Sequence, residues 1–296
     1  MSNKRATNNA KLLSGSKLAL LGAGLNALMA AIKIVSGVIG NSYALIADGI
    51  ESTLDIFGSL VVWAGLRYAT MPPDEAHPYG HGRAETLSAI AVALLLLGTS
   101  LILAIQSVRE ILTPHHAPAP FTLIVLLVVI AVKEILFRKV IHHGTELGSA
   151  ALESDAWHHR SDAITSAAAF IGIVIALIGG DGYESADDYA ALVACAVIAF
   201  NGVRVLGPAL NEAMESAPPP HIENAIRSFA IKVAGVQGVE KCRVRKMGVE
   251  FFVDLHVLVS GDISVRDGHT IAHAVKDEIR ENLAAIADVL VHIEPV

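Results

Sequence analysis

Charge is scarce in this chain: only 17 % of its 296 residues are Asp, Glu, Lys or Arg, and aromatics make up 5 %. Apolar residues reach 53 %, and this balance belongs to a membrane protein rather than a globular one. Cysteine is nearly absent. Cys195 lies in an apolar run and Cys242 in a polar region, which argues against a disulfide framework and against a thiolate zinc site. The net charge is −7 and no basic run is present, so no nucleic-acid partner is expected. There is also no His-Glu-x-x-His pair, the usual mark of a helix-borne metallohydrolase.

What the chain has instead is long apolar runs. A membrane span takes about 20 mostly apolar residues, and runs of that kind lie near 17–40, 42–69, 85–112, 121–142, 148–179 and 186–208. The breaks are Gly40-Asn41-Ser42, a polar loop from Met71 to Arg83, a Pro/His loop from Thr113 to Pro120, residues 140–147, and Gly179-Gly180-Asp181-Gly182. Residues 1–16 read as a polar tail, with Lys4, Arg5, Lys11 and Lys17 at or just beyond it. The first run exceeds the roughly 7–15-residue core of a cleaved signal peptide. Basic residues mark the N-terminal tail, the 70–84 loop (Arg83) and the end of the fourth run (Arg138, Lys139), while 40–42, 113–120 and 179–186 have none. The positive-inside rule then puts both termini in the cytoplasm of a multi-pass protein of the cell membrane.

After Pro208 the apolar runs stop, and Pro218-Pro219-Pro220 closes a linker over 209–220. Residues 221–296 read as a small α+β domain. His221–Val233 carries a helical apolar stripe, and Val239–Lys246 is a short strand turning at Met247-Gly248. Val249–Val259 alternates, with Phe251, Val253, Leu255 and Val257 on one face and Asp254 and His256 on the other. Val265–Leu283 is a second helix and Asp288–Glu294 a last strand. The order is αββαβ, an open sheet with helices on one face. The fold class is therefore a six-helix, all-α transmembrane domain over 17–208 followed by this domain.

Two pairs of ionisable residues fall inside the apolar runs. Glu51 and Asp55 are four residues apart in the second, and His158 and Asp162 four apart in the fifth. That spacing places each pair on one helix face. Ionisable groups at such depth cost about 2.5–3.5 kcal/mol each on insertion scales. Arg160 is the only obvious nearby cation, too little for a purely structural salt-bridge network. Two helices giving two ligands each make a four-coordinate N/O site, suited to Zn²⁺, Fe²⁺, Mn²⁺ or Co²⁺. Asp48 shares the face of Asp55 and is a candidate outer contact, and on helical geometry His159 competes with His158. A second cluster, Asp74, His77 and His81, sits in the 70–84 loop, where Pro78, Gly80 and Gly82 permit tight turns.

Glu51-x-x-x-Asp55, His77-Pro-Tyr-Gly-His-Gly-Arg-Ala-Glu85 and His158-x-x-x-Asp162 together resemble the cation diffusion facilitator family, and the resemblance covers nearly the whole chain. It implies a homodimeric antiporter in the lipid bilayer that exchanges a divalent transition metal for protons. The metal serves as both substrate and regulator, with Zn²⁺ first and Fe²⁺, Mn²⁺, Co²⁺, Ni²⁺ or Cd²⁺ as alternatives. It implies a transport site of Glu51, Asp55, His158 and Asp162, preferring His158 to His159, and a loop site of Asp74, His77 and His81. It also implies that residues 221–296 form a ferredoxin-like, metallochaperone-like dimerisation domain with metal at His256, His269, His292 and Glu294. Arg83 and Glu212 are expected to form an interdomain or dimer salt bridge. Glu51 departs from the Asp or His that many members carry there, and this puts metal preference in play. The rival classes are a non-transporting membrane metal sensor, an intramembrane metallohydrolase and a channel. A metallohydrolase needs a metal position kept for water, and this ligand set is complete without one; a sensor would show no uptake into inside-out vesicles, and a channel would be uncoupled from protons.

Overall fold

The computed structural model describes residues 2–39, 43–112, 120–179 and 186–296. The turn at 40–42, most of the Thr113–Pro120 loop and the 180–182 part of the glycine turn lie outside the described residues, as do the side chains of Asp48 and Glu51. The chain divides into two compact units, residues 11–210 and residues 211–296 with the first ten.

The first unit is built on six long helices: α1 (Ser2–Ile39), α2 (Tyr43–Ala69), α3 (Arg83–Leu112), α4 (Thr122–Leu147), α5 (Ala150–Gly179) and α6 (Ala186–Ala213). Their bounds follow the apolar runs, with three differences. Helix α1 starts at Ser2, so the residues expected as a polar tail are helical. The loop expected over 140–147 is the last two turns of α4, which ends only at Gly148, a left-handed residue with φ 63°. His142, His143 and Glu146 made this stretch look like a loop, but they lie on the exposed face of a continuing helix. Helix α6 runs through Pro208 to Ala213.

The helices pack with their polar groups inward. Lys33, Lys133, Asn26, Ser59, Asp155 and His159 are buried, while Leu20, Leu28, Leu94, Leu101, Ile102 and Phe200 are exposed. This inverts the order of a water-soluble protein and suits a bundle whose solvent is hydrocarbon. Among the described residues, the stretches Leu12–Ser36 and Arg83–Arg109 are long and apolar enough to cross a membrane.

Close approach needs small residues. A Cβ on Gly49 would meet Ile34 Cγ1 at 2.6 Å and the Ala30 carbonyl at 3.2 Å, so the glycine lets α2 lie against α1. Helix α5 begins where two side chains meet its orphan N–H groups. Ser149 Oγ accepts from Leu152 N at 3.3 Å, and Oε1 of the buried Glu85 accepts from Ala151 N at 3.3 Å. The carboxylate also suits the positive end of the α5 dipole. The first turn of α3 thereby fixes the start of the helix that carries His158 and Asp162.

The second unit has α7 (Pro220–Ala230), β1 (Gly238–Met247), β2 (Glu250–Val259), α8 (Val265–Asn282) and β3 (Ile286–Pro295), the order read from the sequence. Pro220 starts α7, where its missing N–H costs nothing. Ser264 caps α8, its Oγ accepting from Asp267 N at 3.1 Å. Strands β1 and β2 pair antiparallel across a tight turn at Gly248, whose φ of 65° requires glycine's freedom. Strands β2 and β3 pair parallel, giving the order β1-β2-β3. Ile226 and Ala230 of α7, Val253, Leu255, Val257 and Val259 of β2, Val275 and Ile279 of α8 and Val289 of β3 form the core. Both cysteines are free. Burial, with the Glu223 charge, pushes the Cys242 thiol up to about 11, so it stays protonated at neutral pH.

Candidate metal centre

Helices α2 and α5 bring Asp55, His158 and Asp162 together. One ligand atom from each lies within 4.8 Å of the others. His158 Nε2 is 3.1 Å from Asp55 Oδ1 and 3.9 Å from Asp162 Oδ2. The His158 ring is buried, with Nε2 against both carboxylates and Nδ1 without a hydrogen-bond partner. An imidazole lone pair beside two carboxylate oxygens is a nitrogen and oxygen donor set of the kind divalent transition metals take. The donors present therefore fit a divalent cation. Glu51 lies on α2, one turn before Asp55.

His159 points elsewhere. It is fully buried, its Nε2 lies 3.7 Å from Asp155 Oδ2, and a Cβ on Gly22 would stand 3.2 Å from that nitrogen. Of the two adjacent histidines, His158 faces Asp55 and His159 faces α1. Asp155 is held by Ser59, whose Oγ donates to Oδ1 at 3.3 Å. Arg160 lies over the Phe137 ring at 4.5 Å and the Trp157 ring at 5.6 Å.

The sequence reading missed the cations of this unit. Lys133 of α4 is fully buried, and its Nζ donates to Asp162 Oδ2 at 2.5 Å and to Asn26 Oδ1 at 2.8 Å. The same Nζ is 3.6 Å from Asp55 Oδ2. Lys33 of α1 donates to Ser52 Oγ at 2.9 Å. The expectation that Arg160 is the obvious nearby cation is therefore corrected. The available signal was a lysine midway along each of two mostly apolar runs, Lys33 and Lys133, and averaging over a span hides it.

The loop cluster also forms. Asp74 Oδ1 accepts from His77 N at 2.6 Å and lies 3.2 Å from His77 Nδ1, while Asp74 Oδ2 is 3.4 Å from His81 Nε2. Gly80, at φ 87°, closes the turn that carries His81 back. The His81 ring is buried edge-on to Tyr68 with centroids 4.7 Å apart. The backbone hydrogen bond from His77, then burial working against it, then its side chain, hold the Asp74 carboxyl below its ordinary value.

In the second unit the parallel register sets His256 of β2 opposite His292 of β3. His256 Nδ1 is 2.6 Å from Glu294 Oε1, and His292 Nε2 is 3.6 Å from the same oxygen. These three could hold one ion. His269 is not among them: it stacks on His273 along α8, with ring centroids 4.5 Å apart. On α8, helical spacing sets His269 beside His273, outside the group that His256 forms with His292 and Glu294. Glu212 Oε2 accepts from Lys246 Nζ at 2.8 Å. The Arg83–Glu212 pairing would link the two units and remains an expectation.

Hydrogen bonding to Glu240, then to His256, keeps the Glu294 carboxyl below its ordinary 4.5. A depressed carboxyl stabilises the fold above its unfolded value, and that contribution is lost as pH falls through the lowered one. Between pH 5 and pH 3, the metal-free second unit of wild type should therefore lose stability more steeply than Glu294→Gln does. Thermal melts across that window would show it, and parallel curves would contradict it.

Residues 19–212 match the model of the cation efflux transmembrane domain, and residues 218–296 match that of the cation efflux protein cytoplasmic domain. Manganese efflux system protein MneP of Bacillus subtilis is 30 % identical over 94 % of this chain and 95 % of its own length. Metal tolerance protein C1 of Arabidopsis thaliana is 30 % identical over 95 % of this chain and 62 % of its own length. A solved MamM-CTD structure is 27 % identical, covering 26 % of this chain and 98 % of that one at a TM-score of 0.26. With both of its parts matched in order, this chain belongs to the cation diffusion facilitator family, whose members are membrane cation-efflux transporters and not enzymes.

Proposed function

We propose that this protein exports a divalent transition-metal ion from the cytoplasm in exchange for protons, by alternating access of a homodimer. The observation that carries the reading is the meeting of Asp55, His158 and Asp162 in the polar interior of a bundle that is apolar outside. Glu51 completes the transport set, and Asp48 is its outer contact. Metal requires a neutral imidazole and ionised carboxylates, so its binding releases protons. Imidazole, with an ordinary pKa of about 6.5, is the natural proton-coupled ligand. Protons arriving from outside then compete for the same atoms and release the ion.

Residues 17–208 are the six-span transport domain, and residues 221–296 are the ferredoxin-like, metallochaperone-like dimerisation domain. Both ends are cytoplasmic by the positive-inside rule. Asp74, His77 and His81 bind metal at the loop, and His256, His292 and Glu294 bind it in the domain. Tightening of the dimer by that metal shifts the transporter's populations.

Zn²⁺ is the first substrate reading, since a mixed imidazole and carboxylate set suits it. Mn²⁺ is the second. The Bacillus subtilis relative is by its name a manganese efflux protein, and carboxylate oxygens suit that ion as well. Proteoliposomes carrying a metal dye and a pH dye test both. Saturable uptake of Zn²⁺, Mn²⁺, Fe²⁺, Co²⁺, Ni²⁺ or Cd²⁺ should come with a matching proton flux in the opposite direction. Flux without proton movement, or without saturation, would mark a channel, and no flux at all a sensor.

A further inference from the structure

We propose that the Lys133 ammonium is a tethered stand-in for the transported cation. It occupies the metal-free site and has to leave the carboxylates before a divalent ion can be held there. This rests on reading Asp55, His158 and Asp162 as the transport site.

Three observations carry it. First, the contacts are with the ligand atoms themselves. Lys133 Nζ hydrogen-bonds Asp162 Oδ2, which is also the Asp162 oxygen nearest His158 Nε2, and it lies 3.6 Å from Asp55 Oδ2. An ion bound among these atoms would displace the ammonium from the oxygen it now holds. Second, the two cations compete for one oxygen. Two carboxylates facing each other in a dry interior are unfavourable unless a proton or a cation lies between them. A divalent ion and an ammonium at the same oxygen would repel each other in the same low dielectric. Asp162 Oδ2 holds one of them at a time. Third, there is another acceptor to move toward. Asn26 Oδ1, on α1, already accepts from the same Nζ at 2.8 Å. A lysine has a flexible four-carbon stem and three donors, so it can release the carboxylates and keep the amide.

The consequence is competition within the molecule. The ammonium lowers the apparent metal affinity, and it offsets part of the negative charge left in the core of the emptied carrier. A lysine serving only to hold α4 against α5 predicts the opposite for affinity, because its loss would loosen the ligands.

Zn²⁺ and Mn²⁺ titrations of the detergent-purified full-length protein test this, counting as site binding whatever Asp55→Ala removes. Lys133→Met and Lys133→Gln take the charge away with little change in volume. Arg138→Gln removes an exposed cation from the same helix as the control. Folded Lys133→Met or Lys133→Gln should bind at the Asp55-dependent site at least tenfold tighter than wild type. The melting temperature should fall without metal and recover at saturating Zn²⁺, while Arg138→Gln stays at the wild-type value in both. In proteoliposomes, metal-for-metal exchange should persist while net export slows. Unchanged or weaker binding in both lysine variants overturns the proposal and leaves the transport site standing. Equal binding by wild type and Asp55→Ala overturns the site assignment, and this proposal with it.

Discussion

Asp55→Ala should abolish metal-for-proton exchange, with a loss well beyond 100-fold in proteoliposome uptake at any metal concentration. The magnitude follows from what the carboxylate touches. It lies 3.1 Å from His158 Nε2 and 3.6 Å from Lys133 Nζ, and the side chain is almost wholly buried. Loss of a residue that only orients a metal ligand already costs about 10–100-fold in affinity or activity, and here the ligand itself is removed. The substitution also leaves His158 and Lys133 short of a counter-charge. Breaking a buried ion pair from one side costs about 3–5 kcal/mol, so misfolding has to be separated from lost binding. Asp55→Asn does this, because it keeps the volume and a hydrogen-bonding oxygen while losing the charge. A folded Asp55→Asn protein with no uptake supports the assignment, and saturable uptake by either variant would show that the transported ion is held elsewhere.

Leu255→Ala should unfold the second unit or bring it close to unfolding. Leu255 is fully buried at the centre of β2, which pairs with β1 on one side and β3 on the other. Truncating a buried leucine costs about 2–5 kcal/mol. A core of this size seldom supplies more than about 3–5 kcal/mol, so one substitution can remove the whole margin. Hydrogen exchange in the full chain would report it as collapsed protection across β2 and β3. The His256–His292–Glu294 cluster should vanish as well, since it depends on the register of those two strands. Protection at the wild-type level would mean that the domain draws its stability from something other than this core.

Much of this was legible in the sequence, and the exceptions share physical causes. Apolar runs located the helices because hydrocarbon-facing residues must be apolar along their whole length. The alternation from Phe251 to Val259 located β2 because one face of the sheet packs on the helices. Helical spacing paired His158 with Asp162, but spacing alone could not separate His158 from His159. Packing separates them, with α2 approaching one side of α5 and Gly22 of α1 the other. Lys33 and Lys133 were overlooked because one or two charges barely lower the apolarity of a span, and their partners are distant in sequence. The family resemblance implied His269 as a ligand alongside His256, and within one chain α8 sets it beside His273. The end of α4 was misread because an exposed helical turn and a loop have the same polar composition.

The partners of Lys133 bear on how the molecule is made. Its polar partners come from three different helices: Asn26 from α1, Asp55 from α2 and Asp162 from α5. In order of synthesis two of these precede α4 and one follows it. In the six-span reading proposed above, α4 would enter the bilayer with a charge worth about 2.5–3.5 kcal/mol against insertion, with Asn26 and Asp55 already present and Asp162 still to come. The earlier helices can therefore take in α4 before α5 arrives, and Asp162 then meets an ammonium already in place. On that reading, the residue that disfavours α4 as an isolated span would also set an order in which the helices assemble.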